Sequence, residues 1–155
     1  MITPVISYLK EQQVSYRLLP HQTPAVSITD AARQRGIRQS QMVKSILLRD
    51  MSNRLALACA PGDRSVDPKK VRALLQWRRM TCVEQGKIIS LTGYHPGTVT
   101  PLLLPSDIPI IFDPSLQLEP EVTISSGSNM AGIALSLNDL VKLCQPTFAN
   151  ICRDE

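Results

Sequence analysis

The stretch MVKSILLRDMSNRLALACA, residues 42–60, narrows most what this chain can become. Two aliphatic runs, MVKSILLR and RLALACA, flank DMSN, a polar tetrapeptide that suits a hairpin turn. Their many apolar positions predict central strands of a sheet. One charge interrupts the first run. Lys44 follows Met42 and Val43 and precedes Ile46, Leu47 and Leu48, and a buried ammonium is costly unless it is paired or used. The ordinary explanation is a buried stem whose head reaches the surface. The functional one is a cation kept for a ligand.

Helix signals surround this hairpin. Thr3 before Pro4 and Asp67 before Pro68 are cap-then-proline pairs that open helices. ITDAARQRG reads as a helix stopped by Gly36. PKKVRALLQW places Val71, Leu74, Leu75 and Trp77 on one side and leaves Lys69, Lys70, Arg72 and Arg78 to water. EQGKIISL forms a short helix ended by Gly93, and Ser136 with Asp139 starts a last helix running through Cys144. VSYRLL, the segment Pro109 to Phe112, EVTISSG and AGIAL read as further strands, the last two joined by a Ser/Gly turn at Ser125 to Asn129. Helices and strands therefore mix in an α+β order.

With 155 residues, 43% of them hydrophobic, the chain suffices for one domain with a real core, residues 1–155, and is too short for two. No run approaches the roughly 18 apolar residues of a membrane span. MITPVISYLKEQQ lacks the basic start and long apolar middle of an export signal. The expected location is the cytoplasm. Cys59, Cys82, Cys144 and Cys152 show no C-x-x-C spacing, and only His21 and His95 could join them. Four reduced thiols, with Cys59 in the core, fit better than a zinc site or a disulfide framework. No metal or organic cofactor is called for.

The net charge is +4, and it is unevenly spread. Arg33 through Lys87 carries 13 Lys/Arg against Asp50, Asp63, Asp67 and Glu84, about +9, leaving about −5 elsewhere. Such asymmetry fits a face for a polyanion as well as it fits a solvated basic surface. No G-x-S-x-G elbow surrounds any serine. Three features carry more chemistry: Lys44-Ser45 in its apolar setting; TGYHPGTVTP, whose Gly93 and Gly97 permit close backbone approach; and ISSGS, a turn able to offer several amides together.

Five ordered blocks, QMVKSILL, LALACAP with VDPKKVRALL, LTGYHPGTVTP, DIPIIFD, and TISSGS with LNDLVKL, resemble the YbaK/prolyl-tRNA editing family nearly end to end. Members look like the insertion domain of bacterial prolyl-tRNA synthetases and remove wrongly attached amino acids from tRNA. The resemblance implies a mixed, barrel-like β-sheet flanked by helices, with the aminoacylated 3′ end of tRNA in a cleft. It implies that Lys44 is the catalytic cation, stabilising charge on the ester carbonyl while water attacks. It also implies that His21, Ser45, Gly93, Tyr94, Gly97, Thr98, Gly127 and Ser128 bind substrate, amides near Gly127 and Ser128 orienting water or the oxyanion. The general base stays open.

Aminoacyl-tRNA, gripped by its acceptor stem and 3′ end, is the implied partner, with prolyl-tRNA synthetase as an associate; neither DNA nor a membrane is implied. Leu19 and Gly132 stand where the branch acting on cysteinyl-tRNA for proline has tyrosine and aspartate. Ser126-Gly127 stands for its Gly-Gly, and Ser45 replaces the asparagine of the alanine-specific branch. The amino acid cleared, of the Ala, Ser or Cys type, is therefore left undecided. A silent tRNA-binding module and a purely structural partner of a synthetase are the competing readings.

Overall fold

The computed structural model describes residues 1–155. The chain runs α1 (Pro4–Glu11), β1 (Arg17–Pro20), α2 (Ile28–Arg35), β2 (Val43–Arg49), β3 (Leu55–Pro61), α3 (Pro68–Leu75), β4 (Thr81–Cys82), α4 (Gln85–Thr92), β5 (Ile110–Phe112), β6 (Glu121–Ser125), β7 (Ala131–Ser136), α5 (Leu137–Cys144) and β8 (Thr147–Phe148). Every α-helix has eight residues, too few to stand alone in water, so caps and packing hold them. Thr3 accepts from the amide of Ile6, Ser27 from Asp30, Asp67 from Lys69 and Ser136 from Asp139, at 3.0 to 3.2 Å. Gly36 and Gly93 end α2 and α4 in the left-handed conformation, at φ 70° and 81°. The helix expected to reach Trp77 stops at Leu75, because Gln76 turns left-handed at φ 57°. Leu74 is consequently 41% exposed rather than inward.

β2 and β3 form the expected hairpin, pairing antiparallel from Val43↔Pro61 to Arg49↔Leu55. They centre a five-stranded sheet in the order β4-β2-β3-β5-β8, in which β3, β5 and β8 run parallel. β1, β7 and β6 make a separate three-stranded antiparallel sheet. The α+β architecture with a mixed sheet and flanking helices is as expected. Its barrel-like character takes the form of two sheets abutting at one parallel bridge, Met42↔Thr123, and not of a closed ring.

Alternation along the strands separates two cores. Val43 and Leu47 of β2, Leu57 and Cys59 of β3, and Val122, Ile124, Ile133 and Leu135 of the smaller sheet point inward, into a cluster that α1 and α5 complete with Val5, Leu9 and Leu140. Leu48, Ala56, Ala58 and Ala60 point outward, onto Val71 of α3 and onto Ile151 and Cys152. The row of alanines lets α3 sit close to the sheet. No helix is long and apolar enough to cross a membrane.

The bridge between the sheets also sets the site. Residues paired across it share a face, so Met42 and Thr123 face the same way. Two residues on, period two puts Lys44 of β2 and Ser125 of β6 on that outer face as well. Register carries it onward, since Ser125 pairs with Gly132 and Gly132 with Leu19.

Candidate functional site on the outer face beside α2

Lys44 is half-buried, and its ammonium donates to the carbonyl oxygen of Arg64. Burial pushes its pKa below the ordinary lysine range, against the opposing charges of Cys152 and Asp63. The Arg64 loop is itself anchored. Asp113, 2% exposed, accepts from the Ile151 and Cys152 amides at 3.0 and 3.2 Å, from the Ser115 amide and hydroxyl, and from Arg64 at 3.5 Å. Burial opposes ionisation of Asp113, yet these donors hold its pKa below the usual carboxylate range. A buried carboxylate thus holds the Arg64 side chain and the Ile151–Cys152 backbone, while the Arg64 carbonyl holds the lysine.

The wall of the site comes from α2. Arg35 reaches across β6 and β7, donating from Nε to His21 Nε2 and from Nη1 to Thr123 Oγ1, both at 3.1 Å. His21 Nδ1 lies 2.8 Å from the Asn129 carbonyl oxygen. A carbonyl accepts and a guanidinium donates, so the histidine carries its proton on Nδ1 and its lone pair on Nε2. Burial first, with the Arg35 charge adding, holds its pKa below the ordinary value against the Asn129 hydrogen bond. Desolvation alone pushes Arg35 down to about 10. Arg35 packs directly over Gly132. A Cβ there would lie 2.7 Å from Arg35 Cδ and closer still to Nε and Cζ.

Carboxylates pair with Arg17, Arg33, Arg38, Arg49, Arg54, Arg64, Lys70 and Lys87, but with neither Lys44 nor Arg35. These are the two half-buried cations without an acidic partner, and both lie on this face. An oxyanion set down here would meet donors already desolvated and oriented.

The other expected residues divide. Gly127, at φ 90°, sits 3.5 Å (as a would-be Cβ) from the Tyr94 ring, so the glycine-rich loop and the Ser/Gly turn do meet. Gly97, at φ 82°, faces open space, and Thr98 closes its turn by donating to the His95 carbonyl at 2.8 Å. Ser45, Tyr94, Gly127, Ser128 and His21 have partners within the fold. Ser45 points inward, 3.5 Å from Cys59 Sγ, because neighbours on a strand face opposite ways. Tyr94 is buried, and its hydroxyl donates to the Leu102 carbonyl, so it braces the loop. The Gly127 and Ser128 amides are consumed by the Ser125 and Ser126 hydroxyls at 3.0 and 3.3 Å. The Ser128 hydroxyl accepts from Met130 at 3.1 Å. His21, 7% exposed, has both ring nitrogens engaged, and it positions Arg35.

Arg35 and Thr123 were not singled out by sequence reasoning. Arg35 is a basic last-turn residue of α2, an ordinary placement favourable to the helix dipole; a glycine at 132, on a strand position that ordinarily carries a side chain, is the one signal in the sequence for its partner. A separate cleft of about 470 Å³ is lined by Leu102, Leu104, Ile108, Ile110 and Leu143 among others and contains no charged side chain. It lacks the means to hold a polyanion. No three His, Cys, Asp or Glu side chains gather as a metal set.

The aminoacyl-tRNA editing domain model matches residues 22–143. The chain is 25% identical over 134 residues to the uncharacterized protein YwhH of Bacillus subtilis, covering 86% of this chain and 85% of that one. It is 24% identical over 144 residues to the prolyl-tRNA editing protein ProX of Acetoanaerobium sticklandii, covering 90% and 87%. A match to the proline–tRNA ligase of Bacillus licheniformis, 33% over 104 residues, spans 66% of this chain and 18% of the ligase. Among solved structures, the hypothetical protein APE2540 superposes with a TM-score of 0.87 at 25% identity, covering 96% of this chain and 99% of that one. A candidate trans-editing enzyme for prolyl tRNA synthetase superposes at 0.85 with 19% identity, covering 99% and 100%, a likeness of fold.

Proposed function

The chain belongs to the aminoacyl-tRNA editing domain family, and from that premise we propose that it is a trans-editing aminoacyl-tRNA deacylase. It hydrolyses the ester of a small mischarged amino acid, of the Ala, Ser or Cys type, on tRNA for proline. The observation that carries this reading is Lys44, a half-buried ammonium with no acidic partner on the outer face, inside the matched region.

In this reaction water adds to the ester carbonyl carbon and the bond to the ribose oxygen breaks. The products are a free amino acid and a restored ribose hydroxyl. Negative charge collects on the carbonyl oxygen as water attacks, and one Lys44 N–H not committed to Arg64 stabilises it. His21 does not serve as base, because its Nε2 lone pair already accepts from Arg35. The proton of the attacking water passes to solvent or to a group of the substrate itself. The Gly97 turn, with open space at its Cα, lies beside the bound amino acid, where steric exclusion of larger side chains sets selectivity.

Exposed Lys69, Arg72, Arg78 and Arg79 carry no carboxylate partner and meet acceptor-stem phosphates. A synthetase for proline is the associate this reading allows. It also sets the protein in the cytoplasm, where tRNA is charged.

The test is a panel of alanyl-, seryl- and cysteinyl-tRNA for proline. The wild type releases amino acid from at least one, and Lys44→Ala does not. No turnover across the panel, with the two proteins indistinguishable, overturns the reading. One observation favours a second reading, a binding module without catalysis: the turn amides that would form an oxyanion hole are internally satisfied. Salt-sensitive tRNA binding without hydrolysis would establish that alternative.

A further inference from the structure

Arg35 has a role in neither scheme so far, and its surroundings are unusual. It is the one arginine on this face whose partners are all neutral. Nε donates to a histidine and Nη1 to a threonine, while Arg17 of β1, Arg33 of α2 and Arg38 just after α2 each hold a carboxylate at 2.6 to 2.9 Å. Nη2 makes no hydrogen bond within the protein, and it is not among the sealed polar atoms that lack a partner. Solvent, or a ligand, therefore reaches it. The two protein bonds fix the guanidinium plane, and Gly132 beneath it leaves the only room the side chain has, since any Cβ there collides with Nε and Cζ. A cation partly stripped of water, held rigid and denied an acid, is a donor prepared for an oxyanion.

We propose that Arg35, positioned by His21 and Thr123 over Gly132, is an oxyanion-binding subsite on the same outer face as Lys44. Its ligand is an anionic group of the bound aminoacyl-tRNA end: the phosphodiester preceding the terminal adenosine, which suits the Ala, Ser and Cys types alike, or a carboxylate on the amino acid side chain, which would replace that small-residue specificity with an acidic one. Both present oxygens to Nη2, and the two sources are separable by experiment. The inference rests on the deacylase reading only for the identity of the larger molecule; the subsite itself is measured without hydrolysis.

The experiment compares binding of adenosine 5′-monophosphate with that of adenosine. Alongside, 3′-aspartylamino-3′-deoxyadenosine is compared with its alanyl counterpart, both being amides that resist cleavage. The wild type is expected to bind the anionic member of one pair at least tenfold more tightly; the pair concerned names the source. Arg35→Gln removes that preference and leaves binding of the neutral member within twofold. Gly132→Ala keeps every charge but displaces the guanidinium, and it also removes the preference, a result that general electrostatics would not give. Thermal unfolding shows whether each variant is folded. Equal binding within both pairs by the wild type overturns the proposal, as does a preference that survives in folded Arg35→Gln or Gly132→Ala. A preference without any deacylation leaves the subsite standing and removes the deacylase; deacylation without a preference does the reverse.

Discussion

Two helices lie on the outer side of the sheets, and the cations beside them differ in kind. Along and after α3, Lys69, Arg72, Arg78 and Arg79 are exposed, above an apolar floor of Ala56, Ala58, Ala60 and Val71. On the α2 side, Arg35 is half-buried over Thr123 and Gly132, and Lys44 of β2 is half-buried against the Arg64 carbonyl. Exposed charges are screened within about 10 Å at ordinary salt and attract any phosphate alike. Half-buried ones act at lower dielectric and in fixed directions. Neither set of cations has an acidic partner, so the two regions differ in burial and not in the pairing of their charges.

The comparison breaks most visibly at Lys44. Lys44→Ala is expected to lower kcat/KM on the edited aminoacyl-tRNA by about 10²- to 10³-fold, with little change in thermal stability; an equal loss from Lys69→Ala would erase the distinction between the two regions. Asp113→Ala tests whether the anchor beneath Lys44 is structural. It strands two buried amides and frees Arg64, so urea denaturation should show a loss of about 3 kcal/mol. Replacing Lys69 and Arg72 together by Gln sharpens the other side: tRNA affinity falls for all tRNAs alike, and the slope of log affinity against log salt drops by about 2.

The smallest effect concerns His21, whose folded pKa lies below the unfolded 6.5. The unfolded chain then binds more protons, so stability rises with pH and is lost as pH falls from about 6.5 through the folded value. His21→Gln should flatten that part of the stability curve and leave the acid limb due to carboxylates in place.

Much of the frame was legible because its signals are local. The β2–β3 hairpin follows from two aliphatic runs about a polar turn, and α1, α3 and α5 begin at Thr3, Asp67 and Ser136 as their caps require. Position Lys44 stood out because one charge broke an apolar run. Which way each neighbour pointed did not. Ser45 looked equivalent to Lys44 until the register with Cys59 and Ala60 placed them on opposite faces. The short strands β4 and β8, two residues each, have no pattern to read. Arg35 was illegible for a further reason: it matters through Gly132, His21 and Thr123, residues 14 to 97 positions away, which meet only when β1, β6 and β7 assemble. The serine hydroxyls that take up the amides of the Ser/Gly turn likewise emerge only from its folded geometry.

The most direct test of the central claim, that the acid-free cations beside α2 form the place where the aminoacyl end binds, is a backbone amide NMR titration with 3′-alanylamino-3′-deoxyadenosine. Shifts are expected at Lys44, Ser125, Gly132 and the 94–98 loop, with α3 and the uncharged cleft at Leu102–Ile110 silent. Shifts confined to that uncharged cleft, with Lys44 and Gly132 unmoved, would contradict the claim.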